Sequence, residues 1–152
     1  MIILPLFFFS AHSEEPEVID SDLTFREAIE GTKAPDNVIK SLVLLDVEYY
    51  SFDGKLHRGQ LVIDKAVEND VREVFDFIKE SRFPVQKVVP IVEYRWSDNA
   101  SMEDNNTSAF NYRYIAGTKR LSNHSYGRAV DMNPFLNPVI YSNGKRSPSG
   151  AS

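Results

Sequence analysis

Near the C-terminus, Ser122-Asn123-His124-Ser125-Tyr126-Gly127-Arg128-Ala129-Val130-Asp131 sets an imidazole and a carboxylate seven residues apart. Imidazole nitrogen and carboxylate oxygen are among the donors that bind a divalent metal such as zinc. If Gly127 to Met132 is extended, Gly127, Ala129 and Asp131 point to one face. The two small residues then leave room beside the carboxylate, and His124 folds back across it from just before the strand. Spacing alone is a weak signal, because a single histidine also serves as a surface or satisfied core residue and a single aspartate as a turn former.

The full pattern Ser-x-His-x-x-Gly-x-Ala-x-Asp is more specific. With Asn105-Asn106-Thr107-Ser108-Ala109-Phe110-Asn111-Tyr112-Arg113-Tyr114 upstream and Asn133-Pro134 and Asn137-Pro138 downstream, it resembles the D-alanyl-D-alanine carboxypeptidase (VanY-like) family of bacterial cell-wall peptidases. The resemblance is strong over the second half of the chain and looser over the preceding helix. It implies a Zn2+ cofactor with His124 and Asp131 as ligands, and peptidoglycan stem peptides as substrate. It also implies that Arg113 binds a substrate carboxylate or steadies a tetrahedral oxyanion, tasks suited to a permanently charged, forked guanidinium. Ser122 is a candidate to orient His124 or to meet substrate; an ordinary strand-edge serine is the competing reading.

The family pattern takes a third ligand, a histidine, and an acidic general base from a later segment. The histidines are His12, His57 and His124. His12 lies in the apolar leader, and His57 reads as a solvent-facing strand residue after a turn. The third ligand is therefore carried onto no residue of this chain. Expected here is a partial peptidase domain over 41–152 that lacks its C-terminal ligand segment, with a degenerate paralogue as the alternative. Glu93 and Asp98 are carboxylates near the region, with only that to recommend them as a base. The same fold occurs in hedgehog signalling domains, so a non-catalytic cell-wall or metal-binding module is the rival function.

The elements that position these residues read as α+β: a small antiparallel sheet with one main helix packed on it. Val43, Leu45, Val47 and Tyr49 alternate with Asp46 and Glu48 across Ser41 to Tyr50, which is strand periodicity. Phe52-Asp53-Gly54-Lys55 is a turn, and Leu56 to Ile63 returns as the second strand. Lys65 to Arg82 is a helix with Asp64 as N-cap and a core stripe of Val67, Val71, Val74, Phe75 and Ile78. Pro84 sets its end. Thr24 and Glu27 form a capping box ahead of a short helix that ends at Gly31, and Ala34 to Asn37 is a turn. Lys87 to Trp96 reads as an edge strand because of Pro90. Ser97 to Ser108 reads as a long polar loop lining the cleft, Phe110 to Ile115 as a strand carrying Arg113, and Asn143 to Lys145 as a turn. Ser147 to Ser152 shows no core pattern.

Residues 1–13 run Ile2 to Phe9 apolar, with Ala11 and Ser13 as small residues, and read as a signal peptide without a basic n-region. The run is short of the roughly 20 apolar residues a span requires, so export to the periplasm or cell wall is expected and a membrane span is not. Residues 14–40 form a polar segment with the short helix, flexible from Glu14 to Asp22. At 42% hydrophobic and 26% charged, the 152-residue chain has the composition of a globular domain. A net charge of -5 without a basic block argues against nucleic acid as the partner. The absence of cysteine removes disulfide scaffolds, Cys-type zinc fingers and thiol nucleophiles.

Overall fold

In the computed structural model, which describes residues 16–151, the expected capping box is present. Thr24 accepts from the Glu27 amide at 3.3 Å and the Glu27 carboxylate accepts from the Thr24 amide at 2.7 Å. Strand β1 (Val18–Ile19) precedes this cap, helix α1 (Phe25–Ala28) follows it, and helix α2 (Asp36–Ile39) comes next. The readings on residues 1–13, His12 included, lie outside the described residues.

The hairpin is formed by β2 (Leu42–Tyr50) and β3 (Leu56–Asp64), antiparallel from Leu42 opposite Asp64 to Tyr50 opposite Leu56. Gly54, at φ +80°, makes the turn. Both faces of this ribbon carry buried side chains, with Asp46 and Glu48 exposed on one of them. Leu45, Val47, Tyr49, Leu61 and Ile63 pack toward the main helix, whereas Leu42 and Val62 point the other way, against Ala28, Val38 and Phe110. The odd and even positions thus serve two cores, as the two-residue period of a strand requires. Each fully buried aliphatic side chain contributes about 1.5–3 kcal/mol.

Asp64 caps a 3-10 turn, Lys65–Val67, by accepting from the Ala66 amide at 2.9 Å, and the turn runs into α3 (Glu68–Ser81). Arg82, left-handed at φ 52°, closes α3 just before Pro84. Phe75 and Ile78 are buried and Val71 packs beside them. Val74 is 51% exposed, which corrects its place in the stripe: at 100° per residue it stands about 60° around the axis from Val71.

Five further expectations are revised. Within the described residues the polar stretch before the sheet is fixed, because β1 pairs parallel with β3 (Val18 opposite His57), while Glu14 and Glu15 lie outside them. His57 is not solvent-facing. It is 7% exposed, with Nδ1 2.9 Å from Asp20 Oδ2 and Nε2 3.2 Å from Asp53 Oδ1; Asp20 also accepts from the buried Tyr49 hydroxyl. The Ala34–Asn37 turn opens α2, with Pro35 as its N-cap and Val38 buried. In the Lys87–Trp96 stretch only β4 (Lys87–Val88) pairs as a strand; after Pro90 the chain winds into a 3-10 turn, Ile91–Tyr94. The polar stretch that follows contains α4 (Asp98–Glu103), capped by Ser97 accepting from the Ala100 amide at 3.2 Å. It also contains β5 (Asn106–Thr107), parallel to β4. Asn106, fully buried, donates to Val89 O and Ser101 Oγ and accepts from Val89 N. At the C-terminal end, β6 (Val139–Ile140) and β7 (Arg146–Ser147) form a small hairpin around the expected Gly144 turn, and Ala151 is buried. The fold is α+β, a mixed three-stranded sheet with small satellite sheets and one long helix. Among the described residues, no helix is long and apolar enough to cross a membrane.

Candidate metal and oxyanion site

The segment bearing the two candidate ligands is a tight turn followed by extended chain. Ser122 caps a 3-10 turn, Asn123–Tyr126, by accepting from the His124 amide at 3.3 Å, and Gly127 ends it at φ 65°. The expected strand from Gly127 to Met132 does not form: Gly127 is left-handed, and the chain after it exchanges only an isolated bridge, Asp131 with Ser108. A Cβ on Gly127 would lie 2.7 Å from Asp64 N and 2.9 Å from the Ile63 carbonyl carbon. Its smallness therefore lets the turn press on the end of β3, where Asp64 N donates to Gly127 O at 3.0 Å. Ala129, by contrast, does line an open cleft of about 350 Å³ with Ser122 and His124. Asp131 is held in extended conformation by two hydrogen bonds with Ser108, 3.1 and 2.9 Å.

These two attachments bring His124 and Asp131 together. His124 Nδ1 lies 2.6 Å from Ala109 O, and Nε2 lies 3.3 Å from Asp131 Oδ2. A carbonyl only accepts, so Nδ1 carries the proton and Nε2 is the nitrogen offered to the carboxylate or to a cation. Burial disfavours charge on His124, but the Asp131 carboxylate and the Ala109 carbonyl outweigh it and raise the imidazole pKa; Arg113 opposes them. Burial likewise works against the Asp131 carboxylate, and His124 and Arg113 overcome it and lower its pKa.

The pair fits a zinc ion as two of its ligands. Bonds of about 2.0–2.1 Å at a tetrahedral angle put two ligand atoms about 3.3 Å apart, the separation found here. The anchoring of Nδ1 by a backbone carbonyl is the usual outer support of a metal-bound histidine. Among the described residues, no group of three or more His, Asp or Glu side chains converges on one point, so the pair falls one short of the three protein ligands of a catalytic zinc.

Arg113 is bolted to the same turn. The expected Phe110–Ile115 strand is instead an extended segment with isolated bridges. The Ser125 hydroxyl, fully buried, accepts from Arg113 N at 3.0 Å and donates to Arg113 O at 2.7 Å. Ser122 N donates to Arg113 O at 3.0 Å, and Asn111 N to His124 O at 3.0 Å. The guanidinium reaches Asp98 through Nη2 at 3.0 Å. Its Nε–H is buried without an acceptor, a condition that costs about 1–3 kcal/mol. Ser122 is 6% exposed, and its hydroxyl serves as the cap. His57 pairs with Asp20 and Asp53 instead, and neither it nor Glu93 forms an ion pair with this cluster, whereas Asp98 joins it as the partner of Arg113. Ser125 carried no mark in the sequence: a buried serine in a turn looks like any other.

Residues 116–152 match the family model described as D-alanyl-D-alanine carboxypeptidase, the family that the motif resembles. The matched stretch includes Ser122, His124 and Asp131 and stops short of Arg113. No curated protein and no solved structure matches the chain. The match is to a family of peptidases and supports reading this chain as a hydrolase.

Proposed function

We propose that this chain carries the metal-binding turn of a zinc-dependent peptidase acting on peptidoglycan stem peptides near D-amino acids, in an exported location. The observation that carries the reading is the 3.3 Å approach of His124 Nε2 to Asp131 Oδ2 with Nδ1 anchored on Ala109. His124 and Asp131 would hold the ion, which supplies Lewis acidity and lowers the pKa of a bound water to about 7. Arg113 would receive a substrate carboxylate or the negative charge that develops on the attacked carbonyl oxygen, a task suited to its permanently charged, forked guanidinium. Ser122 and Ser125 keep the imidazole and the guanidinium in one frame. With two donors among the described residues, the reading has this chain alone binding zinc weakly and turning over little or no substrate.

Isothermal titration of zinc into the protein tests this. Wild type is expected to bind one ion, and His124→Ala or Asp131→Asn to weaken binding by at least about tenfold while circular dichroism stays unchanged. Equal affinity in all three proteins would contradict the reading. A metal-binding module without catalysis is the second reading, favoured by the two-donor count. Zinc binding with no hydrolysis of a D-alanyl-D-alanine peptide, in a protein that includes a third ligand, would select it.

A further inference from the structure

Away from the His124 site, the buried His57 has a carboxylate on each ring nitrogen. Nδ1 lies 2.9 Å from Asp20 Oδ2, and Nε2 lies 3.2 and 3.3 Å from the two Asp53 oxygens. The two nitrogens diverge, and among the described residues these three groups form no shared cation site. An ionised carboxylate only accepts, and a neutral imidazole has one N–H. Both contacts are therefore made together only by the doubly protonated ring. Asp53 is ionised: the Lys55 amide, with His57 adding to it, outweighs the loss of water and lowers its pKa. Tyr49, stacked on the imidazole at 5.8 Å, has its phenol pKa raised by burial and then by Asp20. It keeps its proton and donates it to Asp20. The next titratable groups stand one step back, Lys55 beside Asp53 and Tyr94 within range of Asp20.

We propose that His57 is a proton-operated latch: its doubly protonated ring ties the hairpin turn at Asp53 to β1 at Asp20, and its neutral ring keeps Asp20 and lets Asp53 go. The two carboxylates are not equivalent. The Asp20 side chain is 17% exposed and that of Asp53 48%. A bare Nδ1 would face an enclosed oxygen with no water to take its place, an expensive arrangement. A bare Nε2 faces a carboxylate that turns to water and keeps the Lys55 amide, 2.9 Å from Oδ1. The proton that leaves is therefore the one on Nε2. The turn itself stays closed, since Ser51 N donates to Lys55 O and Gly54 N to Ser51 O; what is lost is its tie to the N-terminal strand. Imidazole is the side chain whose ordinary titration falls between about pH 5 and 8, so the latch works in a range that a protein meets. It does not depend on the peptidase reading.

The experiment follows the His57 ring nitrogens and the χ1 couplings of Asp20 and Asp53 by NMR from about pH 5 to about pH 9, in wild type and Asp53→Asn. In wild type at the acid end, both ring nitrogens are expected to carry protons and both aspartates to hold one rotamer. As pH rises, Nε2 is expected to lose its proton while Nδ1 keeps its own. The Asp53 couplings are expected to move to rotamer-averaged values with the same midpoint, and those of Asp20 to stay fixed. Position 53 is half-exposed, so Asp53→Asn is expected to fold. Its amide accepts from Nε2–H or, flipped, donates to a bare Nε2, so the side chain is expected to hold one rotamer at every pH. Three results would overturn the latch: an Asp53 that stays fixed while the ring loses its proton, an Asp20 that is released instead, or a ring whose proton count never changes across the range.

Discussion

His124 and Asp131 share one charge environment, and its pH behaviour follows from the direction of each shift. In the metal-free protein the imidazole pKa is raised and the carboxylate pKa lowered, in both cases because partner charges outweigh burial. The stabilisation from Asp131 is present above the ordinary carboxylate value and lost as pH falls through its lowered value. That from His124 is present below about 6.5 and lost as pH rises through its raised value. Zinc competes with the proton on Nε2, so zinc affinity is expected to climb with pH through and beyond the ordinary imidazole range. Unfolding midpoints measured against pH, with and without zinc, check both slopes. A midpoint gain from zinc that is flat with pH would contradict the assignment of Nε2 as the donor. Ser125→Ala belongs to the same scale. It removes the acceptor of Arg113 N, while Arg113 O keeps the Ser122 amide, and is expected to cost about 1–3 kcal/mol, read by denaturant unfolding.

At the scale of the element, two substitutions separate packing from surface. Phe75→Ala on the buried side of α3 is expected to cost about 3–5 kcal/mol. Val74→Ala, one position away on a half-exposed flank, is expected to stay within about 0.5 kcal/mol. Gly127→Ala is expected to cost about 2 kcal/mol or more, from a left-handed φ and a Cβ pressed onto Asp64 N. It should also loosen zinc binding, since that glycine seats the ligand turn against β3. Urea titration checks all three. The hairpin, the capping box, the Asp64 cap and the long helix were legible because each is written in local periodicity or a cap of known spacing. The helix α4 was not, because it carries a serine cap but no apolar stripe to distinguish it from a loop. The extended segments around Arg113 and Asp131 have the pattern of strands but are not strands. Their alternation is real, but they exchange only isolated bridges with distant partners, a long-range choice that local pattern does not encode.

At the scale of the molecule, the sheet has two cores, and the site forms where the C-terminal segments cross one end of it. Ala109 and Phe110 contribute to the opposite cores, so the chain passes the sheet edge just where Ala109 offers its carbonyl to His124. The site is thus tied to global folding, and metal should raise the stability of the whole domain. The N-terminal strand is joined to the hairpin by Asp20, Tyr49 and His57, an arrangement invisible in sequence because a histidine after a turn reads as exposed. The motif made His124 and Asp131 legible as a pair. The orphaned Nε–H of Arg113 and its Asp98 partner emerged only from the packing, since α4 and the arginine segment are distant in the chain.

The most direct test of the central claim is nitrogen-15 NMR of the His124 ring during zinc titration, in wild type and in Asp131→Asn. The account predicts that Nδ1 keeps its proton on Ala109 while the Nε2 resonance moves to the metal-bound position, and that Asp131→Asn weakens this response. An Nε2 signal that ignores zinc, or one that responds identically without the Asp131 carboxylate, would contradict it.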